Sequence, residues 1–209
     1  VWQRNIGTMP VTIHLVRHAQ GIHNLSRELE GTHDPPLTDL GRQQCAELKA
    51  RFPYHESITR LYASPMRRTL DTCLLSFDSN KYKTKTGHGV VAMHEMQEVS
   101  EFPCDTGSEV STLEEEFGSV VDLSRVPANW NKKSKSPSWE SKLVALETRA
   151  REARLALREL LKDAKPDEHV VVVTHGAFLH FLTNDYYNIA KTRGMPITPI
   201  RTPFNFSAN

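Results

Sequence analysis

Apolar and β-branched residues run from Val11 to Val16, the pattern of a buried strand. A turn-rich stretch through His33, Asp34, Pro35 and Pro36 follows. Thr38 then offers an N-cap for a helix from Asp39 to about Phe52, with Leu40, Leu48 and Phe52 on one face. Arg60 to Ala63 predicts a short strand. Ser64 and Pro65 predict the opening of a helix, serine as cap and proline in the first turn, that runs to about Phe77. The polar segment Asp78 to Gly89 reads as a loop before a strand at Val90 to Met93. From Ser141 to Lys162, Leu143, Leu146, Ala150, Ala153, Leu157 and Leu160 recur at alternating steps of three and four, the clearest amphipathic helix in the chain. Val170 to Val173, unbroken within His169 to Thr174, predict a central strand covered on both faces, and Ala177 to Thr183 a helix after it.

Strands alternating with helices define an α/β class, a three-layer α/β/α sandwich around a mostly parallel central sheet. Residues 9–209 read as one domain. Met9 has the look of a native start, so residues 1–8 are either an expression remnant or an N-terminal arm. Between Ser100 and Ser138 the chain mixes Gly, Pro, Ser and charges with one helical piece near Leu113 to Phe117, and we expect an insertion above the sheet. Trp130, Trp139 and Phe117, in or beside it, are expected to pack as a mini-core rather than stack on a substrate. The tail beyond Asn188, rich in Pro and Thr, predicts no element.

Composition narrows the partners. With 26 Lys and Arg against 25 Asp and Glu among 209 residues, the net charge is +1. That balance argues against nucleic acid or an anionic membrane as the main partner. No stretch approaches the length of a membrane span. The three cysteines, Cys45, Cys73 and Cys104, form no CxxC pair, so we expect reduced thiols in a cytoplasmic protein rather than disulfides or a zinc site. Asp105, Glu109, His23, His33, His88 and His94 show no metal-ligand spacing, and no metal or cofactor is expected.

In an open α/β sheet, ligands bind beyond the carboxyl ends of the strands. Arg17-His18 close the first strand, Arg67-Arg68 follow the second, and His175-Gly176 close the valine strand. Guanidinium forks and imidazole donors delivered to one edge suit a dianionic phosphate. Singly, each piece would be an ordinary structural residue; their coincidence at strand ends carries the inference.

These residues also fall in recognisable motifs. Val16-Arg17-His18-Ala19-Gln20-Gly21-Ile22-His23-Asn24 resembles the R-H-G-E signature of the histidine phosphatase superfamily, which includes cofactor-dependent phosphoglycerate mutases. Pro36-Leu37-Thr38 with Gly41 is similar to its L-T-x-x-G element, Ala63 to Thr72 to its S-P-L-x-R-A-x-Q-T element, and Val173-Thr174-His175-Gly176 to its second-histidine motif. The order is kept from Val11 to about Leu182. Ala19 and Gln20 depart from the usual Gly-Glu, so the turn must accept a Cβ and the pocket loses a carboxylate.

The resemblance implies a phosphoglycerate-mutase-like fold and a phosphomonoester hydrolase without a metal. His18 would be the phosphorylated nucleophile, and Arg17, Asn24, Arg68 and His175 the phosphate ligands. The general acid would be a Glu after the third strand. Met96-Gln97-Glu98-Val99-Ser100 followed by Pro103-Cys104-Asp105-Thr106-Gly107 resembles the form in phosphatases of this branch, which favours Glu98 over Glu95. Gln20, His23 and Gly176 are candidates for the substrate pocket, with a surface position for His23 left open. A mutase returning the phosphate to its product is the first alternative, disfavoured because mutases of the family are usually longer. A catalytically idle binding module is the second, disfavoured because Arg17, His18, Arg68 and His175 are all present. A small phosphorylated substrate is expected as partner; its identity and the oligomeric state are not readable.

Overall fold

The valine run forms the most enclosed strand of the sheet, with every residue of His169–Thr174 buried. In the computed structural model, which describes residues 11–82, 89–133, 139–183 and 200–203, six strands stand in the order β4-β3-β2-β5-β1-β6. They are β1 (Thr12–Arg17), β2 (Ile58–Ala63), β3 (Val90–Ala92), β4 (Val121–Asp122), β5 (His169–Thr174) and β6 (Ile200–Pro203). The first five pair in parallel, and β6 runs antiparallel along β1. The helices are α1 (Asp39–Arg51), α2 (Arg67–Ser76), α3 (Val110–Phe117), α4 (Trp139–Leu160) and α5 (Gly176–Thr183).

Side-chain alternation along the strands creates the three layers. Val171 and Val173 face one core, with Val16, Leu61 and Ala63, under Leu48 and Phe52 beside α1, Leu70 and Cys73 of α2, and Leu113 and Phe117 of α3. Val170 and Val172 face the other, with Ile13, Leu15 and Tyr62, under Ala150, Ala153 and Leu157 of α4 and Phe178, Leu179 and Leu182 beside them on α5. The predicted α/β sandwich is therefore the observed architecture.

Four local expectations change. On α1 the buried stripe is Gly41, Cys45 and Leu48, continued by Phe52, while Leu40 is 49% exposed. Leu40 and Leu48 lie about 80° apart on a helix of 3.6 residues per turn, so they do not share a face. Thr38 caps this helix as expected, its hydroxyl accepting the Gly41 N–H at 3.0 Å. Ser64 does not cap α2: Met66 holds that position, and Asp34 Oδ1 accepts the Arg67 N–H at 3.2 Å. Segment 100–138 does more than lie above the sheet, because it supplies the edge strand β4 and buries Leu113, Phe117, Leu123, Val126 and Trp130 in the main core. Trp130 and Phe117 therefore pack as core residues, and the Trp139 side chain lies outside the described residues. Within the tail, Ile200–Pro203 is a sheet-edge strand, a position where proline's missing N–H costs no ladder bond.

Residues 1–8 lie outside the described residues. Among those described, no helix is long and apolar enough to cross a membrane. Cys45, Cys73 and Cys104 are all buried free thiols.

Candidate active site

Parallel pairing places Arg17 beside Thr174 and Ala63 beside Val173, so the ends of β1, β5 and β2 form one ledge. The chain leaves that ledge with its main chain still tied. His18 N–H donates to Thr174 O at 2.8 Å, and Ser64 N–H to Val173 O at 2.9 Å. A cavity of about 610 Å³ opens above it, lined by Arg17, His18, His23, Asn24, Glu98 and Gly176, with Glu30, Phe102 and His180 among the outer residues.

The His18 tautomer follows from its surroundings. Its Nδ1 lies 2.7 Å from the Ala19 carbonyl, which only accepts, so Nδ1 carries the proton and Nε2 the lone pair of the neutral ring. Burial, then Arg68 and Arg17, hold its pKa well below the ordinary imidazole range, so the ring is neutral near pH 7. His23 is a wall residue, its ring centroid 5.6 Å from that of His18. Burial, then Arg68, lower its pKa to about 4. Gly21 leaves it room, since a Cβ there would stand 2.8 Å from the His23 ring. At Gly176 an added Cβ would come within 3.2 Å of Arg17 Nε, so glycine lets Arg17 lie across the start of α5.

Arg68 and His175 stand directly behind this wall rather than in it. Both are fully buried. Arg68 donates through Nη1 to Cys104 O at 2.6 Å and through Nη2 to Asp105 Oδ1 at 3.0 Å and to His175 Nδ1 at 3.2 Å. Because His175 Nδ1 accepts from a guanidinium, Nε2 carries the proton and donates to Ser64 Oγ at 2.9 Å. His175, expected to offer a nitrogen to phosphate, has both in use in this structure. The ring supports Arg68 while lying 5.2 Å, centroid to centroid, from His18. Arg68 Nε has no hydrogen-bond partner.

Of the two acid candidates, Glu98 lines the cavity and Glu95 does not. Glu98 Oε1 accepts N–H groups from Val99 at 2.9 Å and from Phe178, in the first turn of α5, at 3.1 Å. Burial, then the Asp105 carboxylate, push its pKa above the ordinary carboxylate range. Glu95 lies 3.5 Å from His94. Asn24 uses Oδ1 to accept the Gly21 N–H at 3.0 Å, which leaves its amide NH₂ for other partners.

Gln20 is turned away from the cavity, against expectation. The Thr38 hydroxyl donates to Gln20 Oε1 at 2.8 Å, and Thr38 N–H to Gln20 O at 3.0 Å. Gly41 permits this approach, because a Cβ there would lie 2.2 Å from Gln20 O. Ala19 is accommodated in a small apolar cluster with Leu37 and Cys45.

Several residues of the site escaped the sequence reading. Ser64 was read as a cap, and Asp105 was noted as a motif residue and weighed as a metal ligand, not as a partner of Arg68. Buried Asp34, at φ 38°, accepts the Ser108 N–H and hydroxyl at 3.0 and 2.8 Å and so ties the turn after β1 to the far loop. Lys133 and Arg149 carry no local motif at all.

With this geometry in view, comparison with known proteins is direct. The family model of the histidine phosphatase superfamily, branch 1, matches residues 13–199, and the chain belongs to that superfamily. It is 40% identical over 82 residues to phosphoglycerate mutase-like protein 2 of Arabidopsis thaliana, covering 34% of this chain and 24% of that protein. It is 35% identical over 74 residues to a probable phosphoglycerate mutase of Yersinia enterocolitica, covering 35% and 34%. The chain thus matches a quarter to a third of the length of these curated relatives. Among solved structures, the ecdysone phosphate phosphatase of Bombix mori aligns over 95% of each chain with a TM-score of 0.61 at 15% identity. A phosphoglycerate mutase of Bacillus anthracis aligns over 96% of each chain, with a TM-score of 0.53 at 17% identity.

Proposed function

We propose that this protein hydrolyses a small phosphomonoester through a phosphohistidine on His18, without a metal. The observation that carries the reading is the proton-free Nε2 of the neutral His18 ring beside a cavity that Arg17 and the raised-pKa carboxyl of Glu98 also line. His18 Nε2 attacks phosphorus, the P–O ester bond breaks, and Glu98 gives its proton to the leaving oxygen. Water then attacks the phosphohistidine and loses a proton to the Glu98 carboxylate. The N–P bond breaks, and its electron pair returns to Nε2. Alcohol and phosphate leave, and the enzyme is restored.

Phosphoryl transfer is mainly positioning and charge stabilisation. Arg17 and Asn24 receive the phosphoryl oxygens at the wall. Arg68, held by His175 and Asp105, supplies positive charge from behind the nucleophile. His23 and Gly176 shape the entrance.

The test is phosphate release from p-nitrophenyl phosphate in EDTA, without a bisphosphoglycerate primer, comparing wild type with His18→Ala at matched thermal stability. We expect release by wild type and none by the variant. Equal release by both overturns the nucleophile. Phosphoglycerate isomerisation that requires the primer, in place of release, makes the protein a mutase.

A further inference from the structure

The loop that carries Glu98 has no ladder of its own. Its carbonyls at Gln97, Glu98, Ser100 and Asp105 belong to buried or half-buried residues, where an unpaired carbonyl is costly. Two half-buried cations from distant parts of the chain meet them. Lys133 Nζ donates to Glu98 O at 2.8 Å, Ser100 O at 2.6 Å and Asp105 O at 2.5 Å. Arg149 of α4 donates through Nη1 to Gln97 O at 2.7 Å and through Nη2 to Glu98 O at 3.3 Å. Its guanidinium lies 4.4 Å from the ring centroid of Phe178, whose N–H donates to Glu98 Oε1.

We propose that Lys133 is a positioning residue for the general acid: it clamps the main chain around Glu98 while leaving the Glu98 carboxyl without a direct ionic partner. This inference rests on the role given to Glu98 above. An ammonium has three N–H donors, and here they go to three carbonyls. A cation paired directly with the carboxylate would favour its ionised form and remove the proton the leaving group needs. Held on the carbonyls, the same charge fixes the loop and acts on Glu98 only through space. The charged groups facing Lys133 are Arg149, Asp105, Glu98 and Arg68, and burial followed by Arg149 lowers the Lys133 pKa to about 8. Burial of that charge is unfavourable for folding alone; holding the acid gives it a use.

The experiment compares Lys133→Met with wild type and Glu98→Gln, using p-nitrophenyl phosphate, whose leaving group needs little protonation, and glycerol 2-phosphate, whose leaving group needs a proton. We expect Lys133→Met to lower kcat for glycerol 2-phosphate at least tenfold and for p-nitrophenyl phosphate less than threefold. Added to Glu98→Gln it should bring no further loss, because the two act as one unit. Equal losses on both esters, or a full additive loss in the double variant, would reduce Lys133 to a structural residue. Should Lys133→Met not fold, Lys133→Gln, which keeps two donors and loses the charge, serves in its place. A measurement without turnover stands beside these: the Glu98 carboxyl titration, followed by carbon NMR, should move to higher pH in the variant, and an unmoved titration overturns the proposal. Failure of wild type to hydrolyse either ester would count against the phosphatase reading, whereas the titration still judges the clamp.

Discussion

The two walls of the pocket are held by opposite means. One is made of strand ends. Arg17 ends β1 and His18 follows it, with His175 behind them at the end of β5, and the parallel ladder ties this main chain to the centre of the sheet. The other is a loop, Glu98 to Asp105, whose main chain is held by Lys133 and Arg149. The strand wall is rigid because its backbone bonds are the sheet itself. The loop wall depends on side chains that reach its carbonyls from elsewhere, Lys133, Arg149 and Arg68 among them, which suits the proton donor proposed at Glu98.

The walls meet at Arg68, which bonds Cys104 O and Asp105 on the loop and His175 behind the strands. Arg68→Lys keeps the charge but loses the planar fork. We expect kcat to fall about 10³-fold on any ester, in line with the loss of a preorganised anion-stabilising donor. A drop confined to glycerol 2-phosphate would place Arg68 with the loop wall alone, and steady-state kinetics on the two esters decide it.

The strand wall was readable in the sequence because strand ends are local. An apolar run followed by Arg17-His18, and another followed by His175-Gly176, each mark their own place in the sheet. The loop wall was readable only as a motif around Glu98. Nothing near Lys133 or Arg149 announces them, since each acts on carbonyls 28 to 52 residues away. Two misreadings have the same origin. Ser64 looks like a cap but faces His175, and Gln20 looks like a pocket residue but is captured by Thr38. In both, a long-range hydrogen bond overrides the local pattern.

Glu98→Gln tests the loop wall by its chemistry. Loss of a general acid should slow glycerol 2-phosphate about 10²-fold or more and p-nitrophenyl phosphate far less. The sign of the pH dependence follows. Glu98 must be protonated to donate, so activity on the alkyl ester falls as pH rises through its raised pKa. His18 must be neutral to attack, so activity on both esters falls as pH drops through its lowered pKa. The glutamine variant should lose the alkaline limb and keep the acid one; persistence of both limbs would assign the proton to another group.

The smallest effect is expected at Thr38, which serves the strand wall without touching the pocket. Its hydroxyl accepts the Gly41 N–H and donates to Gln20 Oε1, so it joins the turn after His18 to the start of α1. Thr38→Val keeps the shape and removes both bonds. Loss of a cap with one further hydrogen bond should cost about 1–2 kcal/mol. In a chain of this size that lowers Tm by roughly 2–8 °C. His18 is aligned by Thr174 O and by its own bond to Ala19 O, neither of which involves Thr38. The kcat for p-nitrophenyl phosphate should therefore stay within about threefold of wild type, as for a substitution that removes no transition-state contact. Calorimetry beside steady-state kinetics separates the two readings. A lower Tm with kcat intact leaves the strand wall independent of the turn that follows it, whereas a large fall in kcat at unchanged Tm would return Gln20 to the pocket.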